Sequence, residues 1–196
     1  MKNQLILFCL LASTFAFGKS PKIERVNQTL SITHIFSNPI EPDTFKLVYN
    51  QNNLEDEMTF QIINSSEKTI YSIKFPGLSF YGYDKPSYEF ETDANRKNIR
   101  FQSRQDSLQV YDSLKIADIQ YLKAKIKVFF ANKKFEINPV PELYKKYRDS
   151  LYKGQYEDLL TDDTVVGFSY SLFAGGGEMI AYSRLKKKVV LFWGCC

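Results

Sequence analysis

Period-two hydrophobicity is the feature that most restricts this chain. Thr29-Leu30-Ser31-Ile32-Thr33, Thr44-Phe45-Lys46-Leu47 and Glu57-Met58-Thr59-Phe60-Gln61-Ile62 alternate polar with apolar side chains. Successive side chains of a strand point to opposite faces, so such stretches bury one face and wet the other. Asn64-Ser65-Ser66-Glu67-Lys68 is a polar cluster between two of these runs and predicts a hairpin from Met58–Ile63 to Thr69–Phe75. Tyr88-Glu89-Phe90-Glu91, Ile99-Arg100-Phe101, Leu108-Gln109-Val110, Ala124–Phe129 and Phe135-Glu136-Ile137 extend the pattern. Val, Ile, Phe, Tyr and Thr dominate these runs and fit a pleated surface.

Seven to nine short strands with turns between them imply a mainly β chain: two antiparallel sheets packed as an immunoglobulin-like β-sandwich, with an open barrel as the alternative. The Cys…Trp…Cys spacing of true immunoglobulin domains is absent. Asp112–Leu122 carries Leu114, Ile116, Ile119 and Leu122, which suit either a short helix or a bend. The strand pattern on both sides favours the bend.

The pattern changes at Pro139-Val140-Pro141, where a strand stops and a helix can start. Glu142–Tyr152 has Leu143, Tyr144, Tyr147 and Leu151 at helical spacing, and Tyr156–Leu160 predicts a further helical turn. Val165–Phe173, Met179–Leu185 and Val189–Trp193, separated by Ala174–Glu178 and Lys186–Lys188, then read as a C-terminal three-stranded meander. The expected organisation is a signal peptide over 1–18, a β-sandwich over 19–138, and a helical connection with the meander over 139–196, packed on the same body.

Compartment follows from the N-terminus. Lys2 precedes an apolar run from Leu5 to Phe17, and Ala16 and Gly18 supply small residues before a cleavage point after Gly18. That run is shorter than the ~20 residues of a spanning helix, so no transmembrane segment is expected after cleavage. The protein is expected to be exported, to the periplasm, the cell envelope or the exterior, and the Lys, Asn, Ile, Phe and Tyr richness has a bacterial character. Asn27-Gln28-Thr29 and Asn64-Ser65-Ser66 match the N-glycosylation acceptor pattern, which matters only in a eukaryotic host. Residues 19–196 carry 25 Lys and Arg against 22 Asp and Glu. So small and mixed a charge argues against nucleic acid as a partner.

No constellation for catalysis emerges. His34 is the single histidine and sits in a strand among Ser and Thr neighbours, a structural position. One histidine, no CxxC and no alternating Asp/Asn loop leave no metal site, and no cofactor is expected. Thr161-Asp162-Asp163 reads as a solvated turn. Glu89 and Glu91 would share a strand face but read as solvent-facing; a hydrolase acting on glycans or peptides through unidentified carboxylates stays as an alternative. Gly175-Gly176-Gly177 lies between strands and reads as a turn, since phosphate loops open helices.

The terminal Gly194-Cys195-Cys196 resembles the doubly prenylated tail of Rab-type GTPases over three residues, but the GxxxxGK[ST] of such an enzyme is absent. Vicinal cysteines are poorly placed to pair with each other. Cys195 or Cys196 would therefore join two chains, a disulfide-linked dimer, which gives a second alternative: a structural surface component.

The segment Pro76–Tyr88 holds two prolines, two glycines and four aromatic residues: Phe80, Tyr81, Tyr83 and Tyr88. Stiff amphipathic rings in a loop give contact area at low entropic cost. These four are the candidate binding residues, with a protein, peptide or glycan as the partner. The competing reading has the same rings closing the core at its open end. The expected function is therefore that of an exported, non-catalytic binding or envelope-associated interaction module.

Overall fold

The computed structural model describes residues 24–82, 85–97, 100–139, 157–173 and 176–195. They form two antiparallel four-stranded sheets and few helices. The first sheet runs β1 (Asn27–His34), β2 (Asp43–Asn50), β3 (Glu57–Ile63) and β4 (Thr69–Pro76), in that spatial order. The second runs β5 (Phe135–Ile137), β6 (Val166–Phe173), β7 (Gly176–Ser183) and β8 (Lys188–Cys195). Within each sheet, strands consecutive in the chain are therefore paired. Between the sheets in sequence lie α1 (Pro86–Lys97) and α2 (Arg104–Lys127), and α3 (Glu157–Thr161) precedes β6.

The alternation in the first half acts as its period dictates. Phe45 and Leu47 of β2, and Met58, Phe60 and Ile62 of β3, are fully buried, while the residues between them are partly exposed. The β3–β4 turn closes with Glu67 in the left-handed conformation (φ 59°) and Asn64 N–H donating to the Lys68 carbonyl at 2.9 Å. On the other sheet Phe168, Tyr170 and Leu172 of β6 recur at the same spacing and are buried. The two sets meet: Phe45–Phe168, Phe60–Phe168 and Phe60–Tyr170 ring centroids lie 5.3, 5.5 and 5.7 Å apart. Edge-to-face and tilted geometries at this range suit the ring quadrupoles and add to simple burial.

α2 reaches this core only at its C-terminal end. Leu122 and Ile126 are buried, and Phe129 and Phe130 just beyond place rings 5.4 Å and 5.7 Å from Phe60. β7 is covered on both sides. Ile180 joins the core between the sheets, while Ala181 joins Leu159 of α3, Val165 and Val190 in a smaller cluster.

Several stretches read as strands are helical. Tyr88–Glu91 lies in α1, Leu108–Val110 and Ala124–Lys127 lie in α2, and Asp112–Leu122, read as a bend, is the middle of α2. The physical reason is visible in the burial. Ala124 and Val128, which alternation would send inward with Ile126, are exposed. The buried set Leu122, Ile126, Phe129 and Phe130 follows helical spacing instead. Ser103 starts α2 in extended backbone (φ −143°, ψ 162°) and accepts a hydrogen bond from Asp106 N–H at 3.1 Å, the N-cap arrangement that satisfies an orphan donor. The signal peptide expected over 1–18, the helix expected over Glu142–Tyr152, and Cys196 lie outside the described residues.

Candidate functional site

The loop after β4 begins with a close approach. Gly77 N–H donates to the Asp56 carbonyl at 2.9 Å, and a Cβ on Gly77 would fall 1.7 Å from the Leu54 carbonyl oxygen. Only glycine lets the chain pass here. A short 3-10 turn over Gly77–Phe80 follows, closed by Tyr81 N–H to the Leu78 carbonyl at 2.9 Å. The turn drives Phe80 inward, where its ring lies 5.4 Å from both Phe75 and Phe129. Phe80 is thus part of the core and is not a surface anchor.

Tyr81 takes the opposite course. Half-buried, it packs its ring 6.3 Å from Tyr121 of α2, and the Lys85 ammonium lies 4.7 Å above its centroid. Its hydroxyl donates to Glu55 Oε1 at 3.4 Å. Lys85 also sits 3.8 Å from Asp118, whose Oδ1 accepts the Ser87 N–H at 3.0 Å and so holds the start of α1. Lys125 places its ammonium 4.8 Å over the Tyr121 ring. Burial, then the nearby Glu55 and Asp118 carboxylates, push the Tyr81 hydroxyl well above its ordinary range, so it stays protonated. Two aromatic rings, each under a lysine, with two carboxylates alongside, form one patch where the loop meets α2.

Tyr88 lies on α1 with 41% of its surface exposed. It lines a depression of about 650 Å³ together with Glu89, Phe90, Thr92 and Asp93. Tyr83 lies outside the described residues. Of the four candidate residues, then, Tyr81 is held in a charged aromatic patch, Phe80 is core and Tyr88 belongs to a different surface. Lys85, Asp118, Tyr121, Lys125 and Glu55 complete the patch and were not singled out from sequence. Asp118, Tyr121 and Lys125 lie on one face only if the chain is helical there, so reading Asp112–Leu122 as a bend and Ala124–Phe129 as a strand hid them.

The histidine and the carboxylates singled out from sequence lie elsewhere. His34 stacks on Phe135 at 3.9 Å between centroids and donates Nδ1–H to the Ile35 carbonyl at 2.9 Å. Glu89 and Glu91 sit two residues apart on a helix, which turns them to different sides, so the paired-carboxylate arrangement expected on a strand does not form. Asp162 accepts Thr164 N–H at 2.9 Å and Thr164 Oγ1–H at 2.6 Å and pairs with Arg184, which ties down the turn before β6 and holds the carboxyl below its usual range. One polar chain crosses between the sheets. Tyr71 and Tyr170 hydroxyls lie 2.7 Å apart and Tyr170 also bonds Glu178; burial raises both phenols.

Among the described residues no three His, Cys, Asp or Glu side chains converge as a metal ion would require. No helix among them is long and apolar enough to cross a membrane. No family model, curated protein or solved structure matches this chain.

Proposed function

We propose that this protein is an exported binding module whose capture surface is the Tyr81–Tyr121 patch. The N-terminal Lys2 and the apolar run to Phe17 support export, with residues 1–18 removed as a signal peptide. A single body built from both sheets, the first from β1–β4 within Asn27–Pro76 and the second from β5–β8 within Phe135–Cys195, is the matching organisation. The continuous buried cluster through Phe45, Phe60, Phe168 and Tyr170 supports it. The likeness to immunoglobulin domains goes no further than that layering, because strand order within each sheet is sequential where immunoglobulin sheets use Greek-key connections.

One observation carries the functional reading: Tyr81 and Tyr121 lie 6.3 Å apart, each under a lysine, beside Glu55 and Asp118. Ring faces, cations and carboxylates in one patch match the mixed demands of a peptide or glycan strand, which offers apolar faces, hydroxyls or amides, and charge. The rings are positioned from the turn after β4 and from the end of α2 that Leu122 and Ile126 anchor in the core, so little ordering is left for the moment of binding. The patch holds no group poised as a nucleophile beside a base, so the chemistry it offers is recognition.

The test is co-sedimentation of the protein with isolated cell-wall material, with its glycan and peptide components also offered singly as soluble competitors. Tyr121→Ala should weaken binding by roughly tenfold or more, as expected for a central aromatic contact, while the thermal midpoint stays within a few degrees of the parent. Undiminished binding by that folded variant removes the patch from the function.

A further inference from the structure

We infer that the exposed face of α2 pairs antiparallel with the same face of a second copy of this chain. The observation is a stripe that outruns its partner. Leu122 and Ile126 are buried in the core. Continuing their row toward the N-terminus in steps of three and four residues gives Ile119, Lys115, Asp112 and Leu108. Steps of that size keep residues on one face of a helix. Along this extension the helix leaves the body, and none of its residues from Arg104 to Tyr121 is buried. Leu108 is 48% exposed and Ile119 36%, flanked by Tyr111 at 52% and Ile116 at 59%.

α1 does not cover this face. It meets the side of α2 that carries Asp118, whose carboxylate takes the Ser87 N–H. The half-buried Val110, Leu114 and Tyr121 share that side. Asp112 and Lys115 are both exposed, and neither forms an ion pair among the described residues.

The order of the stripe selects the occupant. Read in either direction, the exposed part runs apolar, charged, charged, apolar: Leu108, Asp112, Lys115, Ile119. In an antiparallel pair with its twofold axis between residues 113 and 114, Leu108 faces Ile119 of the second copy and Asp112 faces Lys115. The twofold axis repeats both contacts. A parallel pair instead sets Asp112 on Asp112 and Lys115 on Lys115, which repel. Charges at seam positions fix direction and register in just this way. The exposed length from Arg104 to Gln120 is roughly 25 Å of helix. One such seam falls below the ~800 Å² per partner of a standard interface, so the pair forms and dissociates with concentration. This surface is separate from the Tyr81–Tyr121 patch and does not depend on that patch binding anything.

The test is analytical ultracentrifugation of the protein in the form the cell accumulates, from about 1 to about 300 µM, where mass action moves such an equilibrium. The parent, Asp112→Lys, Lys115→Asp and the double exchange Asp112→Lys/Lys115→Asp are compared, with far-ultraviolet circular dichroism to confirm equal helix content. All the substituted positions are exposed, so folding is retained. The parent is expected to dimerise. Each single exchange turns two attractive contacts into two repulsive ones and should weaken the dimer by roughly tenfold. The double exchange reverses every pair and should restore the parent's affinity to within a few-fold. A parent that stays monomeric throughout overturns the inference. So does a dimer that both single exchanges leave untouched, or one that the double exchange fails to rescue.

Discussion

At the scale of single residues, the hydroxyls of Tyr71 and Tyr170 carry an instructive balance. They lie 2.7 Å apart across the two sheets, and Tyr170 also bonds Glu178. Burial is the largest cause that raises Tyr170 above the ordinary phenol value of 10.0, and it raises Tyr71 as well. A group whose folded pKa is raised gives its full stabilisation below the unfolded pKa, and loses it as pH climbs above that value. Here the unfolded phenols ionise from about pH 10 upward while the folded Tyr170 does not. Stability should therefore fall above about pH 10, each such tyrosine adding up to ~1.4 kcal/mol per pH unit. Tyr170→Phe should cost about 1–2 kcal/mol at neutral pH, since it strips partners from Tyr71 and Glu178. The same variant should lose less than the parent between pH 9 and 11. Urea midpoints across that range decide the matter: parallel curves would mean that Tyr170 titrates as freely folded as unfolded. None of this was legible in sequence, where Tyr71 and Tyr170 are ordinary strand residues 99 positions apart. Phe80 and Tyr81 show a related limit. Their neighbourhood was marked by composition, yet one points into the core and the other toward α2 because of a turn that no pattern of residue types announces.

At the scale of elements, the strands of the first sheet and the helical turn near Tyr156–Leu160 were readable, and α1 and α2 were not. β2 and β3 bury one face, and β1 and β4 set the partly buried Leu30, Ile32, Ile70 and Ile73 against the same core, so the alternation of Phe45 with Leu47, or of Met58 with Phe60, reflects a physical constraint. α1 buries nothing, and its Tyr88-Glu89-Phe90-Glu91 alternation is a pattern without a packing cause. α2 is buried at only two positions, too few for a helical period to stand out against the chance alternation of Ala124–Phe129. Local signals carried the information instead: Ser103 followed three residues later by Asp106, then a long run without glycine or proline. The consequence is measurable. Ser103→Ala should cost the start of α2 about 1 kcal/mol. Because the first half of the helix stands clear of the core, that loss should appear as lower ellipticity at 222 nm with little change in the thermal midpoint. Leu122→Ala, by contrast, leaves a cavity in the fully buried end and should cost about 2–5 kcal/mol of global stability. Equal global effects from the two changes would show that α2 unfolds as a single rigid piece of the body.

For the whole molecule, the division is between a body fixed by stacked rings and a helical hairpin fixed by little. Phe45, Phe60, Phe129, Phe130, Phe168 and Tyr170 join both sheets and the end of α2 in one buried layer. Opening any part of it exposes rings on both sheets, so β2, β3 and β6 should open only with global unfolding. α1 buries no residue, and the ties at its start include the Asp118 bond to Ser87 and the pairing of Lys85 with Asp118. Stability within one protein spans from near zero for such segments to the full unfolding free energy for core strands. Hydrogen exchange, at a concentration low enough to leave the chain monomeric, should therefore show three tiers. Amides of β2, β3 and β6 exchange slowest, those near Leu122 and Ile126 follow, and those of α1 and the first half of α2 exchange orders of magnitude faster. The same measurement at high concentration bears on the self-pairing, because only a contact along Leu108–Ile119 would slow exchange in α2 selectively while leaving the strands unchanged. Uniform protection across α1, α2 and the strands would contradict the separation of hairpin from body. The division into a ring-filled body of two sheets and a lightly held hairpin would then have to be replaced by one cooperative unit.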